Sequence, residues 1–95
     1  MKSPIHPGEI LREDVMVELD MSVRDVAEAL GVSRVAFSRV LHEHARITPN
    51  MALRLEAAGV GTARAWLAMQ MAFDLAQAQA SADFTVRKEI ENSVV

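Results

Sequence analysis

Apolar side chains recur along this chain at helical rather than strand spacing. Ile10, Leu11, Val15 and Leu19 trace one stripe, which predicts a first helix opened by Pro7 and Gly8, with Glu9 in its first turn, where a carboxylate suits the helix dipole. Asp20-Met21-Ser22 interrupts the period, and Ser22 is placed to cap a second helix that ends at Leu30-Gly31. Ser33 caps a third, predicted to run to about Glu43. Thr48-Pro49 opens a fourth that ends near Ala58-Gly59. Thr62 caps a longer fifth helix through Trp66, Met69 and Phe73 to about Ala80. The expectation is an all-α, compact five-helix bundle over residues 1–80, followed by a short tail, residues 81–95. That tail is mixed in pattern, open to a frayed helix, an added strand or disorder.

Residues 22–43 satisfy a more specific pattern. Two helices that cross steeply need a small residue where their backbones approach, and Ala27 stands there. They need a left-handed residue at the turn, and Gly31 adopts that conformation without steric cost. They also need inward anchors on both helices, and Val26, Leu30, Val32, Phe37 and Val40 fall at the required spacing. Together these features predict a helix-turn-helix unit.

With Phe37 and Val40 inward, Ser33, Arg34, Val35, Ser38, Arg39 and His42 share the outward face of the second helix of that unit. Such a face fits a major groove, where an arginine can bond guanine O6 and N7 and an apolar side chain can touch a thymine methyl. Arg34, Val35 and Ser38 are the candidates for base edges, and Arg39 for either base or phosphate. His42, His44 and Arg46 trail toward the loop and suit phosphate, joined by Ser22 and Arg24 at the start of the preceding helix. Two arginines on a helix are ordinarily solvated charge. Their coincidence with Ala27, Gly31 and the anchors is what points to double-stranded DNA.

Composition sharpens this reading. The 95-residue chain carries a formal net charge of -3, so any nucleic-acid binding must come from a local basic face. There are no cysteines, which excludes disulfides and thiolate metal sites and fits a reducing cytoplasm. No apolar run approaches a signal peptide or a membrane span of about 20 residues, so a soluble cytoplasmic protein without membrane contact is expected.

Four linked stretches then resemble a known family. His6-Pro7-Gly8-Glu9-Ile10-Leu11, the helix-turn-helix of Xre/Cro (lambda-repressor-like) type, residues 47–55 (ITPNMALRL), and the spaced Trp66-Leu67, Met69-Gln70, Ala72 and Asp74-Leu75 are similar to the HigA family of antitoxins, over about residues 5–80. The resemblance implies an all-helical homodimer that binds a palindromic operator ahead of its own operon. It also implies neutralisation of a HigB-like toxin, an RNA-cleaving protein, with no cofactor. Alternatives remain open: a stand-alone Xre-type regulator without a toxin, or a protein-interaction module whose helix-turn-helix is vestigial.

Trp66, Met69, Met71, Phe73 and Leu75 place large apolar groups around more than one side of the fifth helix, which suggests a two-fold dimer contact. The competing assignment is that Trp66, Met69 and Phe73 fill the chain's own core. His42 and His44, two apart on a helix, point away from each other, so no metal is expected. No nucleophile-base arrangement or phosphate-cradling glycine loop is present, so no enzyme activity is expected.

Overall fold

The computed structural model describes residues 4–88, and among these the architecture is wholly helical. The first helix, α1, is continuous through three stretches, Pro7–Ile10, a π-helical turn Leu11–Val15, and Met16–Leu19. It is followed by α2 (Val23–Leu30), α3 (Arg34–Leu41), α4 (Pro49–Ala57) and α5 (Ala63–Ser81). Residues 82–87 have no regular structure, and residues 89–95 of the expected tail lie outside the described residues.

Each helix begins where a side chain can take up an orphan N–H of the first turn. Ser22 accepts from the Asp25 N–H and Ser33 from the Ala36 N–H, both at 3.0 Å. Thr48 does the same for Met51 and Thr62 for Ala65. The cap of α1 was not foreseen: the buried His6 imidazole accepts the Gly8 N–H on Nδ1 at 2.8 Å.

The core gathers one face from every helix. Leu11, Val26, Ala27, Leu30, Phe37, Leu41, Ile47, Leu55 and Trp66 are all nearly inaccessible, and Phe37 on α3 is completely so. Two glycines make the packing possible. A Cβ on Gly8 would stand 2.0 Å from the Val40 carbonyl oxygen, so only glycine lets α1 approach α3 this closely. Gly31, with φ of 74°, closes α2 in the left-handed conformation and turns the chain into α3.

Two expectations need correction. Leu19 was placed on the core stripe of α1, yet it is 39% exposed. It stands at the edge of the stripe, past the π turn, and still lines an apolar cavity with Leu11 and Phe37. The third helix was expected to reach about Glu43, but it stops at Leu41. Glu43 has φ of 64°, a left-handed conformation that bends the chain out of the helix.

Candidate nucleic-acid interface

The Ala27 crossing and the Gly31 turn hold α2 and α3 as a helix-turn-helix, with α3 turning its polar face outward. Arg34 and Val35, in the first turn of α3, are exposed, Val35 by 66%. Ser38 follows one turn later and is half-buried, while Arg39 and His42 are exposed. Ser22, Arg24 and Ser33 stand exposed at the starts of α2 and α3. Each serine hydroxyl spends its acceptor capacity on its own helix and keeps an O–H to donate. Ala36, which sequence reasoning did not single out, is also exposed on α3.

Local bonds decide how these groups can be used. The His42 ring, through Nδ1, donates to the Ser38 carbonyl at 2.9 Å, which directs Nε2 away from the helix. Arg39 folds along the helix exit, where Nη2 donates to the His44 carbonyl at 3.1 Å. That bond suits it to a backbone contact rather than a base edge. Among the described residues Arg24 and Arg34 form no ion pair, so both guanidinium groups are available to an outside anion.

Glu43, the one carboxylate in the basic segment, is turned away from it. Arg12 on α1 donates from Nη1 to the Leu41 carbonyl and reaches Glu43 Oε2 at 3.4 Å. The bond to Glu13, with that to Glu43, holds the Arg12 guanidinium above its ordinary pKa. The acid is thereby neutralised from below, and the recognition face stays cationic. Charge is in fact divided along the chain: residues 7–30 carry seven carboxylates and two arginines, whereas residues 31–54 carry four arginines and one carboxylate.

Arg46, expected at phosphate, has a partner that local sequence could not reveal. Its Nε donates to Asp74 Oδ2 at 2.7 Å and its Nη2 reaches the same oxygen, across 28 residues. Gln70 donates to the other Asp74 oxygen and accepts the buried Ile47 N–H at 2.7 Å. Burial alone would push Asp74 up, but the bonds from Arg46 and Gln70 outweigh it and hold the carboxyl below its ordinary range. The loop that leaves α3 is therefore riveted to α5. His6 belongs to the same junction, its ring meeting Phe73 edge-on at 4.9 Å. Desolvation by burial lowers its pKa, against weaker opposing effects of Glu43, Asp74 and a bond to the Ala45 backbone.

Arg54 was also missed. From α4 its Nη1 donates to the carbonyls of Leu30 and Gly31, at 2.9 and 3.3 Å, while Nε bonds Asn50. It braces the turn that sets the angle between α2 and α3.

The residues assigned to a dimer contact separate. Trp66 is only 4% exposed and its Nε1 donates to the Val60 carbonyl at 2.7 Å, so it is committed to its own core. That bond, with an apolar body packed beneath it, satisfies the indole completely. Met69 and Phe73 are half-buried. Met71 and Leu75 remain exposed, by 71% and 56%. Among the described residues no cluster of three or more histidines or carboxylates is placed to hold a metal, and no helix is long and apolar enough to cross a membrane.

No protein-family profile matches the chain. Individual proteins do. Virulence-associated protein I of Dichelobacter nodosus is 43% identical over 75 residues, covering 79% of this chain and 69% of that one. The antitoxin HigA of Pseudomonas aeruginosa, solved with the higBA promoter, superposes with a TM-score of 0.78 at 38% identity, over 82% of this chain and 85% of its own. The chain belongs to the HigA family of helix-turn-helix antitoxins and transcriptional regulators. A second Pseudomonas aeruginosa protein, solved in complex with its operator DNA (18 bp), superposes with a TM-score of 0.80 at 35% identity over 100% of this chain and 98% of that one. This HigA-family member thus superposes over most of its length on proteins whose structures include DNA.

Proposed function

We propose that this protein is a dimeric repressor that binds a palindromic operator, silences its own operon and neutralises a HigB-like mRNA-cleaving toxin in the cytoplasm. The observation that carries the DNA reading is the exposed, cationic face of α3, kept free of Glu43 by Arg12. Arg34, Val35 and Ser38 read base edges, with Ser33 at the helix start. Ser22, Arg24, Arg39 and His42 hold phosphate, and Arg46 joins them with its charge partly offset by Asp74.

Dimerisation uses the outer face of α5. Met71 and Leu75 are exposed there, one turn apart and beyond the half-buried Leu67, and an exposed apolar stretch of that kind asks for a self-complementary copy. A two-fold through it sets the recognition helices about 34 Å apart, one helical turn of DNA. Sedimentation at micromolar concentration should give a dimer mass, and Met71→Glu should return a monomer that still folds.

The test of the antitoxin role is genetic and then physical. The adjacent small open reading frame is expressed alone and then with this protein. Growth arrest relieved by co-expression, with the two proteins co-purifying, supports the reading. A harmless or non-binding neighbour, together with specific retention of an operator-like palindrome, makes the protein a stand-alone regulator. Failure to retain any palindrome removes the DNA reading as well.

A further inference from the structure

On the side of the bundle built by α1, α2 and the end of α4 lies an apolar cavity of about 100 Å³. Val15, Met16 and Leu19 of α1, Met21, Ala29 of α2 and Val60 line it, and its surface is almost without polar atoms. It is smaller than the ~150 Å³ apolar cavities that admit benzene, the scale of one aliphatic side chain. Leu19 and Met21 at its edge are exposed apolar groups. A shallow groove lined by Val15, Glu18, Leu19, Gly59 and Val60 adjoins it.

The α1 side of this cavity is acidic, while α2 carries Arg24 beside its two carboxylates. Asp14, Glu18 and Asp20 on α1 and its cap, and Asp25 and Glu28 on α2, are all exposed, and none of them has an ion-pair partner among the described residues. No cation lines the cavity or the adjoining groove. Arg12, the one cation within α1, is already held by Glu13 and Glu43. An apolar socket whose adjoining groove holds Glu18, with Asp14 and Asp20 unpaired on the same helix and its cap, is complementary to a basic segment that presents one aliphatic anchor between lysines or arginines.

We infer that this apolar socket, beside the acidic end of α1, is where the toxin docks, receiving an aliphatic side chain of a cationic segment of that protein. The inference rests on the antitoxin reading above. A protein that cleaves RNA must present a cationic surface to a polyanion, and such a surface suits the carboxylates of α1 and α2 while being repelled by the arginines of α3. None of the lining residues is one assigned to DNA, although Met21 directly precedes Ser22 at the start of α2, so toxin and DNA would use adjoining but different side chains.

The test uses the full chain and the purified product of the adjacent reading frame. With methyl-labelled methionines, Met16 and Met21 should shift on titration with toxin, and Met71 should not. Asp14→Lys combined with Glu18→Lys, both surface changes, should weaken toxin binding at least tenfold while leaving operator affinity no weaker than in the wild type. Ala29→Leu, which fills the cavity mouth from an exposed helical position, should weaken toxin binding too. If the wild type binds toxin but Met16 and Met21 stay silent and the variants bind as well as the wild type, the socket is not the docking site, although the antitoxin reading survives. If the wild type does not bind the toxin at all, both readings fall. Shifts of Met16 and Met21 with rising protein concentration alone would instead assign the socket to a second copy of this chain and overturn the inference.

Discussion

Gln70 accepts the backbone N–H of Ile47 through Oε1 at 2.7 Å, and both groups are buried. The residue that follows the exit loop of the recognition helix is thus satisfied by a side chain from α5. Removing the acceptor leaves a buried N–H without a partner, a cost of about 1–3 kcal/mol. Gln70→Leu should lower unfolding stability by that amount in urea denaturation, despite adding an apolar group to an apolar site. An unchanged midpoint and slope would mean that the Ile47 N–H finds another acceptor.

The Arg46–Asp74 pair beside it should matter less. Arg46 is largely exposed, and exposed pairs contribute about 0.2–1 kcal/mol. Asp74→Asn should therefore cost less than Gln70→Leu. Because Asp74 sits below its ordinary value of 3.8, its contribution is present above that pH and disappears as pH falls through the lowered folded value. A double-mutant cycle with Arg46→Ala in place, measured at neutral pH and again at acid pH, checks both statements.

His6 sets a second pH window of the same sign at higher pH. Its folded pKa lies below 6.5, chiefly because of burial, so the unfolded chain binds more protons between the folded value and 6.5. Stability from this group is fully present above 6.5 and is lost as pH falls from there toward the lowered value. Protonating Nδ1 would also break the bond from Gly8 that caps α1. His6→Asn, which keeps a capping acceptor but cannot titrate, should flatten the dependence of melting temperature on pH just below 6.5. A slope as steep as in the wild type would move the titration to another group.

What the sequence made legible was what local rules decide. Ser22, Ser33, Thr48 and Thr62 each sit immediately before an apolar period, and their caps bond within three residues. Gly31 was legible because a steep turn after a helix needs a left-handed residue. The missed features all join distant residues: Arg12 to Leu41, Arg54 to Leu30, Arg46 to Asp74 and Gln70 to Ile47. No period predicts which polar side chain will meet which backbone group. Gln70 alone left a trace, as a polar residue on the same helical face as Trp66 and Phe73, where an apolar one was due. Trp66 shows the converse failure, since bulk around a helix does not say which groups belong to the chain's own core.

The assignment of roles on α3 can be separated by how affinity depends on sequence and on salt. Under the proposed reading Arg34, in the first turn of α3 and without an ion-pair partner among the described residues, bonds a guanine edge, and Arg24 at the start of α2 meets the backbone. Arg34→Ala should lose about 1–3 kcal/mol on operator DNA and relax the preference at one base pair. Arg24→Ala should weaken operator and random DNA alike and reduce the log-log salt slope by about 1, since each phosphate neutralised contributes roughly -0.9. Ser33 is unsuitable for this comparison because it caps α3, and its loss would mix folding with binding. Equal losses for Arg34→Ala on operator and random DNA would make Arg34 another phosphate contact and leave base reading to Val35 and Ser38.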